Sequence, residues 1–129
     1  MVTGSMARRW AKALFAIGEE QGNLLGITRE VQRVAETWTE SEELRSAMSN
    51  PALGLAARQQ IWEALLRRLG ATRIGRNFFM LLFSKGRVAE LPAISRELQV
   101  LVDRKDNRLR ADVASARAAG DRLGALKEE

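Results

Sequence analysis

Two adjacent carboxylate pairs, Glu19-Glu20 and Glu42-Glu43, are the nearest this sequence comes to a general acid/base couple. Neighbours on a helix point about 100° apart and do not face one another, so both pairs read as surface or helix-end charge. The chain has no histidine and no cysteine. That removes the usual general base, the commonest metal ligand and every thiolate nucleophile, and leaves the serines and threonines without the usual base to activate them. Gly18 and Gly22 mark a helix end with no strand before them, so they do not make a phosphate-binding loop. The expectation is a non-enzyme that binds or scaffolds: no catalytic residues, no metal and no cofactor.

What remains is surplus apolar surface on two predicted helices. At about 100° per residue, Met6, Trp10, Ala11, Ala13, Leu14, Phe15, Ile17 and Gly18 spread over roughly 200° of the first helix. A helix lying on a small domain normally gives the core little more than about 100°, so part of this surface calls for a partner. Arg8, Arg9 and Lys12 take the remaining face. The second surplus is Phe78-Phe79-Met80-Leu81-Leu82-Phe83, which faces every direction of a helix. Phe78, Phe79, Leu82 and Phe83 read as core. Asn77 and Leu81 lie one turn apart on one edge and include a polar group that a sealed core would penalise. With Trp10, Ala13 and Ile17 they would line a groove for an amphipathic helix.

The elements that must position these residues are helical. Periodicity and punctuation by Gly, Asn and Pro predict six helices. The first runs from a Ser5 cap to Gln21 and ends at Gly22-Asn23. A second, Leu24 to Trp38, carries the stripe Ile27, Val31, Val34, Ala35 and Trp38. Thr39 and Glu42 match a capping box that opens a short third helix with Leu44 and Met48, stopped at Asn50-Pro51. The fourth, Ala56 to Leu69, stripes Ile61, Trp62, Leu65, Leu66 and Leu69 before Gly70. Thr72 caps a fifth that reaches Lys85 and Gly86. Leu91, Ile94, Leu98, Leu101 and Val102 stripe the sixth, with Pro92 tolerated in its first turn.

After Asp103 the pattern changes. Residues 104–108 form a charged break, and Leu109, Ala111 and Val113 alternate with Arg110 and Asp112 as a strand would. A lone strand has no ladder, so the prediction for 109–115 is an edge strand or a disordered tail, with weak helix or disorder after 118. The expected fold class is all-α: a six-helix bundle over residues 1–105, and over 106–129 an incomplete C-terminal segment holding that short strand or tail.

The 129 residues suit one small domain, and the net charge of +5 is unevenly placed. Residues 58–110 hold 12 Lys and Arg against 5 Asp and Glu, a local charge of +7. That raises a basic helical nucleic-acid-binding module as the alternative function. Against it, Arg58, Arg67, Arg68, Arg96 and Arg104 recur opposite the apolar stripes, as solvated helix faces do, and no Lys/Arg run carries interleaved aromatics. The longest apolar run, Phe78 to Phe83, is far below the about 20 residues that cross a bilayer. Cationic residues sit inside the first apolar segment rather than before it, so secretion is not expected. Met1 to Met6 read equally as a native start or a cloning remnant.

Four segments carry a family resemblance: ARRWAKALF at 7–15, ELRSAMSNP at 43–51, NFFMLLFSKGRVAELPAI at 77–94 and ADVASA at 111–116. Together they resemble the delta subunit of bacterial F-type ATP synthases, the counterpart of the mitochondrial oligomycin-sensitivity-conferring protein. Trp10 stands where the family usually has tyrosine. The resemblance implies a six-helix N-terminal bundle and a non-catalytic stator role, linking the catalytic head to the peripheral stalk. It implies that helices one and five grip the N-terminal helix of an alpha subunit, with Trp10, Ala13, Asn77 and Leu81 at matching contact positions; Ile17 and Phe78 join them by helical geometry. It also implies peripheral-stalk subunit b as a partner of the C-terminal domain, no nucleic acid, and a place at the cytoplasmic face of the bacterial membrane, held there indirectly through the complex. Family members are longer, and Arg117 stands where they have proline, so the chain is read as a shortened form.

Overall fold

The computed structural model describes the backbone from residue 3 to residue 128 and side-chain environments from residue 5 to residue 120. Met1 and Val2, part of the opening segment read above as native or remnant, lie outside the described residues. Among the described residues six α-helices follow one another: α1 (Thr3–Gln21), α2 (Leu24–Glu40), α3 (Glu42–Ser49), α4 (Leu55–Arg68), α5 (Arg73–Ser84) and α6 (Leu91–Glu128), with a 3-10 turn at Val88–Glu90 before the last. This is the expected all-α bundle. Gly22 and Gly70 take φ of +66° and +73°, the left-handed conformation that closes a helix at low steric cost to glycine.

Burial follows the stripes. Ile27, Val31, Val34, Ala35 and Trp38 of α2 are all buried, as are Leu91, Ile94, Leu98 and Val102 of α6. The inner face of α1 supplies Ala7, Ala11 and Leu14, each with no exposed surface, and the small alanines let α6 and α2 close on it. From α4, Trp62 and Leu66 enter the same core, and Trp62 meets Trp38 edge-to-face with ring centroids 6.4 Å apart. Indole burial of this kind needs a partner for its N–H, and Trp62 Nε1 donates to the Phe79 carbonyl at 3.0 Å.

Four local readings are corrected. Ser5 lies inside α1, which begins at Thr3, and so is not its cap. The expected capping box at Thr39 is not used: Thr39 belongs to α2 and donates to the Ala35 carbonyl at 3.0 Å, while Ser41 caps α3 by accepting from Leu44 N at 3.1 Å. Ser41 has the extended backbone that a cap requires. The charged stretch 104–108 is no break either. It contains no Gly or Pro, its Arg and Lys residues form helix well, and Lys105 Nζ reaches Glu19 Oε2 on α1 at 2.8 Å. Nor is 109–115 a strand. Helix continues through it, because a helix satisfies its own backbone groups whereas a strand needs a neighbouring strand, and there is none among the described residues. Leu109 and Val113, two places apart from Ala111 on either side, are equally one helical turn apart from each other. Both are more than half exposed, and every described residue from Asp106 onward is exposed.

Among the described residues, buried side chains on α6 therefore end at Val102 although the helix does not. Truncating Leu98 to Ala should lower unfolding stability by about 2–5 kcal/mol, whereas Leu109→Ala should change it by no more than about 0.5 kcal/mol, measured by urea titration.

Candidate functional site

The site is built on α5, and α5 is placed by a buried carboxylate. Glu30 of α2 is buried, and its Oε1 accepts from Thr72 N at 2.7 Å while its Oε2 accepts from Thr72 Oγ1 at 2.9 Å. Thr72 Oγ1 in turn accepts from Gly75 N at 3.2 Å, the N-cap bond expected from its position. A negative group at a helix amino terminus also suits the helix dipole. Gly75 is needed here for space: a Cβ at this position would run into the Glu30 carboxylate. Farther along, Trp62 holds the Phe79 carbonyl. So α5 is tied at its start to α2 and at its middle to α4.

With α5 held this way, Phe78, Phe79 and Leu82 turn inward and are buried, while Leu81 stands 44% exposed and Asn77 is exposed. The run Phe78–Phe83 is thus covered on most sides but not all. On α1, Trp10 is half-buried and meets Phe78 edge-to-face with centroids 5.7 Å apart and planes at 72°, a favourable aromatic geometry. Phe78 packs in the same manner on Phe79, at 5.5 Å. Trp10 Nε1 is buried with no hydrogen-bond acceptor. Ile17 is 37% exposed and Ala13 is exposed. Of the six residues expected to form a groove, the structure joins Trp10 and Phe78 directly. Ala13 and Ile17 continue the Trp10 edge of α1, and Asn77 and Leu81 flank Phe78 on α5. The other face of α1 is basic as expected, and Arg8 Nε pairs loosely with Glu97 Oε1 of α6 at 3.8 Å.

This arrangement offers apolar contact beside an amide, over an aromatic floor.

The chain matches the model of the ATP synthase delta (OSCP) subunit family over residues 6–123. It belongs to that family. Among relatives named ATP synthase subunit delta, the one from Geobacter sp. (strain M21) is 31% identical over 89% of this chain and 64% of its own length. The relative from Oleidesulfovibrio alaskensis is 35% identical over 99% of this chain and 72% of its own, and that from Anaeromyxobacter dehalogenans is 37% identical over 90% and 65%. The chain thus spans about two thirds of the length of these delta subunits. No helix among the described residues is long and apolar enough to cross a membrane.

Glu30 was not singled out by the sequence reading, though a signal existed. It lies three residues after Ile27 and four before Val34, inside the α2 stripe, where a carboxylate must find donors. Arg58, expected on a solvated face, is in fact half-buried with its Nε covered.

Gly75→Ala should destabilise the protein by about 1–3 kcal/mol through the clash with Glu30. In a Glu30→Ala background the same change should cost markedly less, a non-additivity that a double-mutant cycle in denaturant would read directly.

Proposed function

We propose that this chain is a non-catalytic stator subunit of an F-type ATP synthase that binds the N-terminal helix of an alpha subunit along the edge shared by α1 and α5. One observation carries the reading: the contact of half-buried Trp10 with buried Phe78, flanked by the exposed side chains of Ala13, Ile17, Asn77 and Leu81. Family membership supports it. A stator must resist torque without doing chemistry, which favours a rigid helical body presenting anchors fixed by its own core. Trp10 is the anchor of the edge, being a large aromatic seated at its centre. Phe78 forms the floor, while Leu81 and Ile17 supply apolar area and Asn77 a polar contact that sets register.

Residues 106–129 open a second domain in this reading, since among the described residues buried side chains on α6 stop at Val102. That domain would carry the contact with peripheral-stalk subunit b. The protein would sit at the cytoplasmic face of the bacterial membrane, attached through the complex rather than by inserting a helix.

A peptide copying the alpha-subunit N-terminus of the same ATP synthase should bind the full chain. Trp10→Ala should weaken it by roughly 2–4 kcal/mol and Leu81→Ala by about 1 kcal/mol, read by calorimetry. Unchanged affinity in both variants would overturn the edge. The same titration at 50 and 200 mM salt separates the nucleic-acid alternative. An apolar peptide interface should change little, whereas phosphate-driven binding would lose about 10³-fold or more.

A further inference from the structure

A second surface lies away from the Trp10 edge, where the carboxyl ends of α2, α3 and α5 meet the start of α4. It is a cleft of about 340 Å³ lined chiefly by Trp38, Met48, Leu55, Phe83 and Val88, with Arg58 among them. Small-molecule sites of about 300 Å³ and upward are typically apolar with a few placed polar groups, and this one fits that description. Arg58 is its single cation. The Arg58 guanidinium makes one long bond, from Nη1 to the Met48 carbonyl at 3.5 Å, and its Nε is buried with no acceptor. Among the described residues no carboxylate oxygen pairs with it within 4.0 Å.

A half-buried guanidinium without a counter-ion is costly, and the natural remedy is a carboxylate from outside, which its planar fork binds well. Leu55, 63% exposed, keeps an apolar side chain in water at the mouth. We propose that this cleft binds a small monocarboxylate carried on an apolar body, its carboxylate on Arg58 and its body against Trp38, Met48 and Phe83. None of the six residues of the α1–α5 edge lines it, so the two sites are separable.

The test is a titration of the ¹⁵N-labelled full chain with sodium 4-phenylbutyrate and, in parallel, with 4-phenyl-1-butanol. The acid should saturably shift the Trp38 indole N–H and the Arg58 Nε–H resonances, and the alcohol should bind at least ten-fold more weakly. Arg58→Gln should weaken the acid at least ten-fold. Should that variant fold poorly, Leu55→Glu changes an exposed residue and sets a competing carboxylate at the mouth; it should weaken the acid at least three-fold without moving the melting temperature. Equal binding of acid and alcohol, or shifts that avoid Trp38, would overturn the proposal, as would unchanged affinity in a folded Arg58→Gln or in Leu55→Glu.

Discussion

A carboxylate taken out of water must be met by donors or it destabilises the fold that buries it. Glu30 meets this constraint through the backbone and hydroxyl of Thr72, and those two bonds determine where α5 begins and how it is rotated. Everything on the candidate edge inherits that rotation. If α5 turned by one residue, about 100°, Phe78 would leave the core and Leu81 would lose its exposure. The absence of a side chain at Gly75 lets the carboxylate come this close. The pairing is therefore a joint property of Glu30 on α2, Thr72 at the cap of α5 and Gly75 within it.

From that anchor the aromatic residues extend the order outward. Trp38 packs on Trp62, Trp62 bonds the Phe79 carbonyl, Phe79 packs on Phe78, and Phe78 meets Trp10. Each edge-to-face pair adds a modest increment beyond simple area burial, and the series links the deepest core of the bundle to its surface edge. In the proposed stator role a partner that pushes on Trp10 would push on the core, and a contact surface continuous with the core is mechanically preferable to one built on loops. The Arg58 cleft shares one member of this series, Trp38, and none of the edge.

Much of the bundle was legible in the sequence. The stripe of α2 was buried at every position expected, and the caps at Thr72 and the closing glycines stood where local chemistry put them. Trp10 and Phe78 meet, and Leu81 is exposed beside them. The misreadings share a cause. Thr39 and Ser41 are both competent caps, and which is used depends on where α2 ends. Leu109, Ala111 and Val113 alternate and are also spaced for a helix. Choosing between the two requires knowing whether a partner strand exists, and that is not local information.

The sequence by itself determined the six helices, their inward faces and the surplus of apolar surface on the first and fifth, because those properties arise from interactions within one or two turns. Only the tertiary structure decided that Glu30 would anchor α5, that Arg58 would be half-covered without a counter-ion, and that α6 would run on past the core. Each depends on residues far apart in the chain, where side chains of ordinary type acquire their roles from the neighbours that folding supplies.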